Sequence, residues 1–208
     1  MKGVYPLKSA RIHPIARQLA HYCQQLAKAG LSPGCTGEAS IRDGDLIWVT
    51  PGGINLAEVQ AEHLALVWPN DAKEGRVVAD AELTPPTNFA WHRAFYAARS
   101  ELRAVFKVRP THTMAWASLH RIDGETSEAE PPGFQQSVLL MPRQASHMSM
   151  ETAAHHHANL IAMADVGIFS LGVSLAEAFN ALEELEACAR QATISVTRQA
   201  RQPVHISF

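Results

Sequence analysis

Along most of this chain, short apolar runs closed by glycine or proline alternate with stretches whose apolar residues recur at helical spacing. That alternation leaves few architectures open, because a strand and an amphipathic helix each need a partner surface for one apolar face. Leu46-Ile47-Trp48-Val49, between Gly44 and Pro51, reads as a buried strand; Leu64 to Val67 and Val77-Val78 read as two more, joined through Asn70-Asp71 and Gly75. Ala104 to Val108, Ser137 to Met141, Leu160 to Ala164 and Ile168 to Leu171 complete the strands, and Pro131-Pro132-Gly133 is a loop. A first helix follows Pro14, carries Ile15, Leu19, Tyr22, Cys23 and Leu26 on one face, and stops at Gly30, a residue suited to a C-terminal cap. Asn88 to Arg99 reads as a second helix that feeds the strand at Ala104. Ser174-Leu175-Ala176-Glu177 is a capping box, and behind it Leu175, Ala178, Phe179, Leu182, Leu185 and Ala189 share one helical face. The predicted class is α/β in three layers.

A length of 208 residues, 47% of them hydrophobic and 18% charged, predicts one soluble domain over residues 1–208. A net charge of −2 with scattered Lys and Arg supplies no field for nucleic acid or an anionic membrane. Met1 to Ala10 mixes Lys2, Tyr5, Pro6 and Lys8 and lacks the apolar run of a signal peptide, and no later stretch reaches 18 apolar residues. A cytoplasmic protein without nucleic-acid or membrane partners is expected. Cys23, Cys35 and Cys188 are odd in number and far apart, which fits a reducing compartment and neither a disulfide framework nor a cysteine zinc site. Cys23 and Cys188 fall on apolar helix stripes and are expected to pack in the core.

The order of turns and strands carries a resemblance. Gly34-Cys35-Thr36-Gly37-Glu38-Ala39-Ser40-Ile41-Arg42 and then Thr50-Pro51-Gly52-Gly53 resemble the opening of the class II aldolase/adducin family. Its members show glycine-threonine-x-glycine-asparagine-x-serine-x-arginine followed by threonine-proline-serine-glycine. Pro85-Pro86-Thr87-Asn88-Phe89-Ala90-Trp91-His92 stands where the family carries a serine pair, a glutamate and a histidine. Ala104-Val105-Phe106-Lys107-Val108-Arg109-Pro110 stands where it carries alanine-valine-valine-histidine-threonine-histidine. The resemblance runs from about residue 11 to about residue 190. It implies a central, mostly antiparallel sheet flanked by helices, and a homo-oligomer, with a four-fold tetramer favoured and its pockets between subunits. Trp116 and Phe208 are expected to be exposed apolar residues for such an assembly.

The chemistry is where this chain departs from the family. The resemblance implies a divalent metal, commonly zinc, held by two histidines at i and i+2 on one strand and by a third histidine before a glycine. Those places read Lys107, Arg109 and Val166, two cations and a side chain with no lone pair. No metal and no other cofactor is expected there. The family's general acid/base glutamate falls on Asn88, which transfers no proton at neutral pH. The places that hold a substrate phosphate read Glu38, Gly52-Gly53, Pro86 and Thr87, and a carboxylate at Glu38 repels phosphate. Thr111-His112-Thr113 is not preferred as a shifted ligand set, because Pro110 breaks the strand before it. His155-His156-His157 cannot aim three consecutive side chains at one ion and reads as a solvated helix end or loop. His92 is expected to be a packed, hydrogen-bonded histidine.

Two readings of the site stay open, beside a third in which the chain is a conventional lyase whose site residues align to the family in another frame. In the first, Lys107, Arg109, Glu38, Gly52, Gly53 and Thr87 form a pocket for a small anionic molecule, or the domain is an assembly module, with Lys107 paired to Glu38. In the second, the chain is a divergent aldehyde-lyase or decarboxylase-type enzyme on a small carbonyl compound, with Lys107 activated by the nearby charge of Arg109. The pairing is preferred, since paired lysines outnumber activated ones.

Overall fold

The structure is a computed structural model that describes residues 13–68, 84–121, 124–142, 147–164 and 166–200. Its centre is an eight-stranded sheet of β1 (Glu38–Asp43), β2 (Leu46–Val49), β3 (Ala65–Val67), β4 (Ala104–Val108), β5 (Ser127–Ala129), β6 (Val138–Met141), β7 (Leu160–Met163) and β8 (Gly167–Gly172), in the order β3-β2-β1-β4-β8-β7-β6-β5. Every neighbouring pair is antiparallel except β6 with β7. Around the sheet lie the helices α1 (Pro14–Lys28), α2 (Phe89–Ala98), α3 (Thr111–His120), α4 (His147–His155) and α5 (Leu175–Ala200).

Strand alternation sorts the core into two sides. Phe106, Val108, Ala39 and Ile41 pack with Leu19, Leu26, Trp116, Leu182 and Leu185, on the side covered by α1, α3 and α5. Val105, Ile47 and Phe169 pack with Trp91, Phe95, Ala153 and Ala154, on the side covered by α2 and α4. The three-layer α/β arrangement expected from the alternation is therefore the observed one.

Local signals explain most boundaries. α1 starts with Pro14 in its first turn and ends in a Schellman motif, where the Gly30 amide donates to Ala27 O, the Leu31 amide donates to Leu26 O, and Gly30 takes φ 74°. Ser174 Oγ accepts from the Glu177 amide, while the Glu177 carboxylate reaches one residue further back than a capping box requires, to the Val173 amide. Cys23 is fully buried, and its thiol is pushed well above its usual range by that burial. Cys188 is partly buried against the same core.

Three elements have no local signature. β1 and β5 carry no strand signal of their own, and the segment after Pro110, which does end the strand, forms helix α3 with Pro110 as its N-cap. Trp116, expected at the surface, is 1% exposed between the sheet and α5 and stacks on His120 with ring centroids 5.1 Å apart. It cannot serve as an exposed contact. The expected strand at Val77-Val78, with Asn70, Asp71 and Gly75, and Phe208, expected at the surface, lie outside the described residues. Among the described residues no helix is long and apolar enough to cross a membrane.

Candidate functional site

Glu38 and Lys107 are direct cross-strand partners, because the register of β1 on β4 sets Glu38 opposite Lys107 and Ser40 opposite Val105. Both point to the side of the sheet covered by α2. On that helix and its N-cap, Asn88, His92 and Tyr96 recur every four residues and so form one row above Glu38, Ser40 and Arg42 of β1, which recur every two. A polar row thus lies on a polar row. Asn88 Nδ2 donates to Glu38 Oε1 at 2.7 Å, His92 Nδ1 and Tyr96 OH lie 2.7 and 2.9 Å from Ser40 Oγ, and the Arg42 guanidinium sits 5.2 Å from the Tyr96 ring centroid. Arg42 also donates to the carbonyls of Tyr96, Arg99, Ser100 and Leu102, satisfying acceptors at the C-terminus of α2 and in the turn after it.

The ion pair stands at one end of this zipper. Lys107 Nζ donates to Glu38 Oε1 at 3.3 Å and to Thr36 O at 3.1 Å. The two residues are 7% and 8% exposed, so water screens the pair little. The pairing expected from the sequence is present. An ammonium has three N–H donors, and two are accounted for here.

The other half of the carboxylate is less satisfied. Glu38 Oε2 and His92 Nε2 lie 3.8 Å apart, and neither has a hydrogen-bond partner among the described residues. His92 is completely buried, and that burial first, with the charge of Lys107 second, lowers its pKa to about 3. A neutral imidazole with its proton on Nε2 faces the carboxylate favourably and leaves Nδ1 to accept from Ser40, consistent with the packed, hydrogen-bonded role expected for it. Glu38, His92 and Ser40 are the residue types of a hydrolytic triad. The Ser40 hydroxyl is completely buried and faces Tyr96, so no substrate carbonyl can reach it.

The remaining site residues converge on the same end of the sheet. β4 ends at Val108, so Arg109 is not on the strand face with Lys107 as the i, i+2 spacing implied. Both side chains nonetheless pass beside Gly167. A Cβ built on Gly167 at the start of β8 would lie 3.4 Å from Lys107 Cε and 3.3 Å from Arg109 Cγ. Val166, beside Gly167, is partly buried, and Asp165 lies outside the described residues. Gly52 packs on Pro86, two residues before Asn88, while Gly52, Gly53 and Thr87 are exposed at the rim. An end of β4 that carries no histidine of its own, where an ammonium is tied to a carboxylate, does not fit a divalent cation: Lys107 already supplies the positive charge that Glu38 faces.

A separate open cavity of about 380 Å³ lies on the opposite side of the sheet, lined by Gly30, His112, Glu183, Glu186 and Arg190. Glu186 is engaged within it: its carboxylate accepts from the His112 and Thr113 amides and from the Thr113 hydroxyl. That leaves the first turn of α3 closed to an external anion.

Comparison with known proteins places the fold that carries this site. The model of the class II aldolase and adducin N-terminal domain matches residues 17–193. The L-fuculose phosphate aldolase of Escherichia coli K12 is 28% identical over 108 residues, 51% of this chain and 47% of that protein, so the match spans about half of that relative's length. The L-fuculose phosphate aldolase of Methanococcus maripaludis is 25% identical over 169 residues, 81% of this chain and 90% of that protein. The crystal structure of YgbL from Escherichia coli superposes with a TM-score of 0.73 at 20% identity, covering 93% of both chains, which is a likeness of fold.

Proposed function

The chain belongs to the class II aldolase and adducin family, and from that membership we propose that it is a member without the metal-dependent lyase chemistry, whose pocket binds a small monoanion such as a carboxylate. The single observation that carries this reading is the Lys107–Glu38 ion pair at the sheet end where the family's metal histidines align. Asn88 in the place of the acid/base glutamate, and Glu38 in the place of an asparagine, exchange a carboxamide and a carboxylate across a 2.7 Å hydrogen bond. The charge is kept and its position moved. An incoming carboxylate meets the third N–H of Lys107, with Arg109, whose stem passes beside Gly167, as a second cation, and the Glu38 charge favours monoanions over phosphates.

The reading is tested by titrating acetate, lactate and inorganic phosphate into the protein and following backbone amide shifts. Carboxylates are expected to bind in preference to phosphate. Glu38→Gln is expected to tighten binding, and Arg109→Met to weaken it by roughly 1.5–3 kcal/mol for each charged hydrogen bond lost. Binding indifferent to both substitutions would sink the proposal. Borohydride trapping with small aldehydes and ketones is expected to leave Lys107 unmodified; a stable adduct there would replace this reading by that of a carbonyl-processing enzyme.

We further propose a cytoplasmic homo-oligomer, a tetramer in the arrangement that the family resemblance implies. The described surface contributes Leu119, Val173 and Ile194 as large exposed apolar side chains, in place of Trp116. Light scattering at micromolar concentration is expected to give about four times the 22.7 kDa chain mass, and a monomer would remove the assembly.

A further inference from the structure

The histidine run at 155–157, which forms no ligand set by itself, gains a carboxylate from elsewhere in the fold. Glu128 sits in the middle of the edge strand β5, and His156 and His157 follow α4 just before β7. Pairing of β5 with β6, and of β6 with β7, brings the three together although the first two stand 28 positions apart in the chain. Glu128 Oε1 lies 3.2 Å from His156 Nε2, and Glu128 Oε2 lies 3.7 Å from His157 Nε2. One ligand atom from each of the three lies within 4.8 Å of the other two, which no other such group does among the described residues.

We propose that Glu128, His156 and His157 form a binding site for a divalent transition-metal ion of the zinc class. A tetrahedral ion with bonds near 2.0–2.2 Å needs its ligand atoms roughly 3.3 Å apart; the Glu128–His156 contact at 3.2 Å is already at that spacing, and the exposed His157 has to move inward. Two imidazoles with one carboxylate suit zinc, cobalt or nickel better than magnesium or calcium, which prefer all-oxygen shells. The carboxylate is also fixed in place. The Ser137 hydroxyl donates to Glu128 Oε2, and that bond is the first of the causes keeping the Glu128 carboxyl below its usual range. Arg99 orders the far side of the loop, donating to the carbonyls of His156 and Ala158 and to Asn159 Oδ1.

One local bond opposes the metal and limits its affinity. His156 Nδ1 accepts the Ala158 amide at 3.1 Å, so its proton resides on Nε2, the nitrogen that faces Glu128. Metal at Nε2 sends that proton to Nδ1, and the Ala158 amide must turn away. His157 is 77% exposed and rotates without such a constraint; the two rings, now stacked with centroids 4.4 Å apart, must splay to converge on one ion. The fourth position is left to water. An ion bound here ties the edge strand to the loop before β7, and so raises the stability of that edge.

Calorimetric titration of the chelator-stripped full chain with Zn²⁺ and Co²⁺ tests the site. One ion per chain is expected, with a rise in Tm and, for Co²⁺, the strong visible absorption of a four-coordinate site. Glu128→Gln and His156→Gln are each expected to weaken binding by at least about tenfold, whereas His155→Gln leaves it unchanged. Equal binding by the Glu128→Gln protein would overturn the proposal, since a bare histidine run needs no carboxylate, and so would the absence of any stoichiometric binding. The outcome is independent of the Lys107 pocket. Metal lost with Glu128→Gln belongs to this cluster, while metal retained in that variant and lost with Glu38→Gln would instead refute the metal-free pocket.

Discussion

Lys107→Met is expected to lower stability by about 3–5 kcal/mol, the range for removing one partner of a buried ion pair. The cost comes from what is left behind. Glu38 is 8% exposed and keeps only the Asn88 carboxamide on Oε1, while Oε2 has no partner among the described residues. A charge in that position either remains ionised without compensation or takes up a proton on folding, and both outcomes destabilise the folded chain at neutral pH. The double variant Glu38→Gln/Lys107→Met separates this from simple loss of packing. With the charge gone, methionine fills the lysine stem's place, and most of the lost stability is expected to return. Urea denaturation of the four members of the cycle gives the coupling energy directly. A single-variant loss below about 1 kcal/mol, as for an exposed pair, would mean that solvent reaches the pair and that it does not organise the site.

That pair is legible in the sequence only through the resemblance, because β1 hides its own strand character. Glu38, Ser40 and Arg42 put polar groups on every second position, which from periodicity alone means a face in water. In the fold the face is covered by α2, whose Asn88, His92 and Tyr96 and whose last carbonyls satisfy those groups. Helix α3 is hidden for a related reason: its first amides are capped by the carboxylate of Glu186, more than 70 residues away, so no capping residue stands beside Pro110. The burial of Trp116 is hidden with it. Glu128 and the histidines 156 and 157 are joined only by the order of β5, β6 and β7. By contrast α1 and α5 carry their stops and starts in their own residues, Gly30 and Ser174 with Glu177, and both are placed by the chain alone. Elements that satisfy themselves locally can be read from the chain. Elements satisfied by distant partners cannot.

Gly167→Ala is expected to destabilise the protein by more than about 3 kcal/mol, combining backbone strain of order 1–3 kcal/mol with a steric conflict that has no soft partner. Gly167 takes φ 140°, a conformation that L side chains rarely adopt, and a Cβ there would run into the carbonyl oxygen of Val108. That oxygen belongs to the end of β4, where Val108 pairs with Ile168, so it cannot retreat without opening the β4–β8 ladder. Gly53→Ala supplies the control. Gly53 has φ 74° and nothing within 4 Å of its built Cβ, so only the left-handed conformation is penalised, at about 1–2 kcal/mol. Both variants are compared by urea denaturation, with carboxylate binding measured alongside. If Gly167→Ala proves no worse than Gly53→Ala, β8 is free to move away from β4 at that end, and the close approach of Lys107 and Arg109 to Gly167 is not fixed. A large loss in Gly167→Ala, accompanied by loss of anion binding in whatever folded protein remains, would tie the glycine to the site itself: the absence of a side chain there is what lets Lys107 and Arg109 lie against β8.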